Sequence, residues 1–156
     1  MNNRLHIALL IAAISVIAAC SNSTEHSGYT KISPDGWIYG DTVRYCPADT
    51  DSTMSMAYDV MIVVRNNNSY EYSNLWLRID YPGADTTHTD TVNVVLADDF
   101  GNWLGKGIGG SYQLVDTVLR RVRLDASKAI KVSHIMRTDT LEGIEQLGII
   151  VKHTNQ

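Results

Sequence analysis

Apolar and polar residues alternate with a period of two along most of the chain beyond residue 28, and no stretch there keeps an apolar stripe at helical spacing for three turns. The pattern predicts strands. Met56, Tyr58, Val60, Ile62 and Val64 share one face of a long strand that ends at Arg65, where Asn66-Asn67-Asn68-Ser69 supplies turn chemistry. Leu75, Leu77, Ile79 and Tyr81 share a face of the next, with Trp76, Arg78 and Asp80 opposite, until Pro82-Gly83 breaks the ladder. These two are expected to pair as a hairpin. Val92, Val94 and Leu96 mark a third strand, closed by a turn over residues 98–102. Segments 112–118, 122–124, 130–136 and 147–151 bring the total to roughly eight antiparallel strands, the spacing of a β-sandwich of jelly-roll type. Residues 138–146 have room for one helical turn. Gly105, Gly107, Gly109 and Gly110 crowd into six residues and suit a bulge, a tight bend or the close approach of another backbone.

The first nineteen residues follow another rule. Arg4 precedes an apolar run from Ile7 to Ala19, interrupted only by Ser15, which is the layout of an export signal. A membrane-spanning helix needs about twenty apolar residues, so the run is too short for a permanent anchor. Ile17-Ala18-Ala19-Cys20 matches the bacterial lipobox, in which the cysteine is acylated and becomes the mature N-terminus. The division expected is therefore a lipoprotein signal peptide over 1–19, lipidated Cys20 with a flexible polar tether over 20–28, and one β-sandwich domain over 29–156. Acyl chains contribute about 0.8 kcal/mol per buried methylene, so lipid on Cys20 would confine the domain to a membrane surface.

Charge then removes one class of partner. The chain has 13 Lys+Arg against 17 Asp+Glu. Its only basic cluster, Arg120, Arg121 and Arg123, would be split between two faces by strand alternation, which argues against nucleic acid. Lipidation of Cys20 leaves Cys46 as the single thiol, expected as a buried or semi-buried structural residue.

The patterns that carry catalysis are missing. GKGIGG lacks both the strand-to-helix setting and the GK[ST] ending of a phosphate loop. His26, His88, His134 and His153 are scattered without metal-ligand spacing, and Asp98, Asp99 and Asn102 read as turn formers before calcium ligands. No GxSxG elbow is present, and Ser111 in GGSY reads as a strand start. The expectation is a non-enzyme without metal or cofactor.

Aromatic residues are the more informative surface feature. Tyr70, Tyr72, Trp76, Trp103 and Tyr112 gather around two turns and form a candidate partner-binding surface, where rings would fill a partner's pocket or stack on sugars. Trp76 is expected either to pack over its sheet or to stand exposed as an anchor, with packing favoured. Asp is followed by Ser or Thr at seven of thirteen positions. Six of these triplets resemble the O-glycosylation acceptor of exported Bacteroidetes proteins, with Thr42, Ser52, Thr86, Thr91, Thr117 and Thr140 as the acceptors. Turn-ending Asp before strand-starting Thr explains the same pattern equally well.

Residues 70–79 (YEYSNLWLRI), Asp90-Thr91-Val92, Leu96-Ala97-Asp98 and residues 101–107 (GNWLGKG) together resemble the gliding-motility lipoprotein family GldH of the Bacteroidetes. The likeness extends more loosely through residues 141–151 (LEGIEQLGIIV), and Glu71 departs from the proline expected at that turn. The resemblance implies an accessory envelope lipoprotein, linked to gliding and less directly to the secretion apparatus that gliding uses, with no known catalysis. It directs the expectation to a membrane-anchored protein that binds an envelope protein partner, with a glycan-binding module of a surface lipoprotein as the alternative. Glu25 is the only acid shortly after Cys20, so the acidic run that resembles a surface-export signal is missing. That favours an outer-membrane anchor facing the periplasm over display at the cell surface.

Overall fold

The computed structural model describes residues 25–47, 57–83, 85–125 and 127–154. The signal segment, Cys20 and Ser52 lie outside the described residues.

Among the described residues the strands are β1 (Glu25–Lys31), β2 (Trp37–Ile38), β3 (Val43–Tyr45), β4 (Ala57–Asn67), β5 (Asn74–Pro82), β6 (Thr87–Val95), β7 (Lys106–Ile108), β8 (Ser111–Arg123), β9 (Ile130–His134), β10 (Thr140–Leu141) and β11 (Ile144–His153). One sheet runs β1-β11-β4-β8-β7, the other β3-β9-β5-β6, and β2 pairs with β10 in a small ribbon. Every pairing is antiparallel. With the β2–β10 ribbon and the edge strand β7 set aside, β1-β11-β4-β8 facing β3-β9-β5-β6 is the strand order of a jelly roll. The β-sandwich read from the alternation is the fold.

The core lies between the sheets. Val60, Ile62 and Val64 of β4 stand opposite Val151, Ile149 and Leu147 of β11, and this layer meets Leu75, Leu77, Ile79 and Val132 of the other sheet, all at most 1% exposed. One lateral gap between the sheets is closed by Tyr45, whose ring lies against Gly28 where a side chain would collide with it.

Several sequence expectations change here. β4 and β5 do not form a hairpin: β4 pairs with β11 and β8, β5 with β6 and β9. The intervening residues cross between sheets. Ser69 donates its N–H to Asn67 Oδ1 at 2.9 Å, and Tyr70 turns into the core, which sends the chain across the end of the sandwich. No two-residue glycine turn is present to fold β5 back on β4. The tether ends earlier than residue 28, because Glu25, His26, Ser27 and Gly28 already pair with β11. An edge strand takes its hydrogen bonds from its neighbour and needs few apolar side chains, so its composition reads as a linker. Residues 138–146 form no helical turn but β10 and the start of β11, joined at Gly143 with φ +80.

Segments 112–118 and 122–124 are one strand, β8, carrying a bulge opposite Tyr58 and Val60. At the bulge Arg121 adopts φ +52 and donates its N–H to Asp59 Oδ1 at 2.8 Å. The bulge disturbs strand alternation, and Arg120, Arg121 and Arg123 are all exposed. Cys46 is exposed rather than buried, because it lies just past the end of β3, beyond the core layer.

Candidate functional site

The β4–β5 and β6–β8 connections come together at one end of the sandwich, and four of the five candidate aromatics form a file there. Tyr72 meets Tyr70 at 5.7 Å between ring centroids, Tyr70 meets Trp103 at 6.4 Å, and Trp103 meets Tyr112 at 5.9 Å. Most of this file closes the core. Tyr70 is 4% exposed, donates its hydroxyl to the Asn74 carbonyl at 2.7 Å, and has its phenol pKa pushed well up by burial. Tyr70 is therefore a core residue and not a contact residue. Trp103 and Tyr112 are half-buried, and Trp103 donates its indole N–H to Asn68 Oδ1 at 3.1 Å. Planes within the file cross at 36° to 65°, unlike the coplanar exposed rings of a sugar platform.

Tyr72 and Trp76 remain available. Trp76 projects from the outer face of β5 and is 42% exposed, more than the packing expectation allowed; Tyr72 is 38% exposed. With Ile135, Met136 and Arg137 they line a groove of about 590 Å³. Its wall is held by backbone bonds: Ile135 donates its N–H to the Trp76 carbonyl at 3.0 Å, and the Trp76 N–H points to Met136 Sδ at 3.3 Å. The groove is thus an apolar slot with a single guanidinium, suited to holding an aliphatic or aromatic side chain from a partner.

Other candidates resolve into architecture. The glycine-rich segment is the β7–β8 hairpin, in which Gly109 and Gly110 take φ +68 and +85 and Gly107 lies against the Ser111 backbone. Ser111 begins β8 and donates its hydroxyl to Glu145. Asp98 accepts N–H bonds from Phe100 at 2.9 Å and Asn102 at 2.8 Å, so its carboxylate organises a turn, and the Asn102 bonds hold its pKa below the usual range. Among the described residues no group of three or more His, Cys, Asp or Glu is placed to hold a metal ion. Of the acceptor triplets, Thr42, Thr86, Thr91 and Thr140 are exposed and Thr117 is half-buried.

Sequence reasoning missed one surface. Met61, Val63 and Ile150 face outward from the first sheet, opposite the core-facing side chains that alternate with them. The signal was present in two runs without alternation, Val60 to Val64 and Ile149 to Val151, since strands buried on both faces read as continuous apolar runs.

The family model described as GldH lipoprotein matches residues 25–151. A gliding motility lipoprotein GldH homolog of Christiangramia forsetii is 28% identical over 152 residues, covering 94% of this chain and 91% of that protein. Among solved structures, the PRD1 vertex protein P5 aligns with a TM-score of 0.43 at 11% identity, over 86% of this chain and all of that one. Tomato aspermy virus aligns at 0.37 and 11%, over 99% of this chain and 95% of that one. At such scores neither bears on function.

Proposed function

This chain belongs to the GldH lipoprotein family, and on that footing we propose that it is a non-enzymatic accessory protein of the cell envelope that works by binding a protein partner in a motility- or secretion-linked assembly. The observation that carries the reading is the Trp76–Tyr72 groove, an apolar slot between β5 and the loop residues Tyr72 and Ile135 to Arg137, with an exposed tryptophan at its lip. Tryptophan and tyrosine in such positions dominate protein interfaces, because each buries a large area at small conformational cost.

Anchoring through lipid on Cys20 sets the orientation. Glu25 opens β1 only five residues after Cys20, a reach of about 17 Å at full extension. Glu25 pairs with Lys152, at the end of the sandwich opposite the β4–β5 connection that carries Tyr72. A lipid-held domain would therefore present the groove away from its membrane. On this reading the chain sits in the outer membrane facing the periplasm, in keeping with the lack of an acidic run after Cys20.

The test is crosslinking in the native envelope, followed by affinity capture of the intact lipoprotein and mass spectrometry. Recovery of motility or secretion components, lost on Trp76→Ala, supports the reading. Recovery of no protein above background, together with retention on a glycan array, refutes it in favour of carbohydrate binding. A Cys20→Ser variant should leave the membrane fraction; its retention there would overturn the anchoring.

A further inference from the structure

Register fixes which side chains share the outer face of the β1-β11-β4-β8 sheet, since directly opposed residues of antiparallel strands point the same way. Tyr29, Gly148, Val63 and Val115 form one row across that face. Ser27, Ile150, Met61 and Thr117 form the next. The Tyr29 ring lies on Gly148 against Val63, where any Cβ at 148 would collide with it. The two rows make an apolar band in which Val63 and Ile150 are 2% and 9% exposed, so the surface it offers comes mainly from its edges, Tyr29 and Val115, at 51% and 49%.

Away from Trp76 and Val95, the outer face of the second sheet is polar. There Arg78 pairs with Asp80 at 3.0 Å, Thr89 donates to Asp80 at 2.6 Å, and Asn74 donates to Asn93 at 2.8 Å.

A third row borders the band at the end far from Glu25: Lys31, Gln146, Arg65, Gln113 and Lys106, one from each strand of the sheet. Its cations stand two strands apart, about 10 Å at the usual strand spacing. One acid lies nearby: Glu145 accepts from Asn67 Nδ2 at 3.1 Å and the Ser111 hydroxyl at 2.6 Å, and the Arg65 charge also lowers its pKa, which leaves Lys31 and Lys106 as the cations farther from it. A notch of about 640 Å³ opens between Lys31 and Arg65, with Ile32 and Ile144 also in its lining.

We propose that this outer face docks a segment of a protein partner that is apolar along its middle and carries carboxylates along one rim, seated on the apolar band with its acids on the Lys31–Arg65–Lys106 row. The inference rests on the reading of the chain as an envelope binding protein, and it uses a surface distinct from the Trp76 groove. Charge complementarity selects the occupant. Lipid headgroups fit poorly, because the cations lie at the end of β1 farthest from the Cys20 attachment. A second copy fits poorly too. A two-fold would set the cation row on the opposite rim, where Lys152 stands between Glu25 and Asp59 and breaks any acidic row.

The experiment places a photo-crosslinking phenylalanine analogue at Tyr29, at Tyr72 and, as control, at Thr91 in the full-length lipoprotein in its native envelope. The probe at Tyr29 should give a protein adduct whose crosslinked peptide joins apolar residues to Asp or Glu. That adduct should fall about tenfold, equivalent to about 1.4 kcal/mol, in Arg65→Glu/Lys106→Glu and again in Val115→Glu, with unchanged thermal melting. An adduct indifferent to both variants overturns the proposal. So does one equally strong from Thr91, one made only of this chain's own peptides, or lipid adducts alone. An adduct from Tyr72 without one from Tyr29 overturns the docking face and leaves the groove reading standing; no adduct from either removes both.

Discussion

Replacing Trp76 by alanine tests the groove, because the side chain divides its surface between fold and solvent. A tryptophan presents about 250 Å², so 42% exposure leaves about 105 Å² for a partner to cover. At about 25 cal/mol/Å² that is roughly 2.6 kcal/mol of binding, within the range of an interface hot spot and about 70-fold in affinity. The covered remainder, about 145 Å², corresponds to at most about 3.6 kcal/mol of folding stability, nearer 2–3 once compaction of the unfolded chain is counted. Trp103→Ala is the matched control. Trp103 packs against the core and satisfies Asn68, so its loss should cost about 3–5 kcal/mol of stability. Urea unfolding of both variants, paired with quantitative capture of partner from the envelope at matched folded protein, separates the effects. Trp76→Ala should lose capture beyond its loss of stability, and Trp103→Ala only in proportion to it. If Trp76→Ala captures as much partner per folded molecule as the parent, the groove is not a binding site.

Three further outcomes follow from the packing. Gly143→Ala should destabilise by about 2–4 kcal/mol in urea melts, because residue 143 has φ +80 and its Cβ would enter the Tyr70 backbone. Leu77→Ala, at a position with no exposure between the sheets, should cost about 2–5 kcal/mol by the same assay. His134 is 1% exposed, its Nε2 donates to the Trp37 carbonyl at 3.0 Å, and its Nδ1 is buried without a partner, so burial holds its pKa below 6.5. The unfolded chain then binds the extra proton, and stability should be full above about pH 6.5 and fall as pH drops through that value; His134→Leu should flatten this slope in thermal melts.

The strands themselves were legible where one face meets the core and the other meets water. Leu75, Leu77 and Ile79 alternate with Trp76 and Arg78 in the structure as they do in the sequence. Pairing was not legible. β4 and β5 present equally good apolar stripes, and a stripe states which side is inward without stating which neighbour shares the sheet. The crossing depends on Tyr70 dropping into the core between two turns, a tertiary event that no local period records. β1 was lost for the opposite reason, since an edge strand with polar side chains carries almost no periodic signal.

The candidate site was half legible, and the division has a physical cause. Clustering of aromatics along the chain located the end of the sandwich where Tyr70, Tyr72, Trp103 and Tyr112 meet, but clustering cannot separate rings that seal a core from rings that face a partner. Tyr70 and Trp76 lie six residues apart, yet one is 4% exposed and the other 42%, because β5 begins between them and its pleat sends Trp76 outward. The sheet face is hidden because Val60, Ile62 and Val64 satisfy the core by themselves, and Met61 and Val63 add nothing to the alternation that marks the strand. Yet a strand that is apolar on both sides is a statement about two surfaces, and the sandwich uses only one of them. The cation row at its rim, assembled from five strands, exists only in the register, so the charge count of the chain could not reveal it. A net acidic protein can still present a basic edge when lysines and arginines line up on alternate strands with glutamines between them, while acids such as Asp98 sit in turns elsewhere.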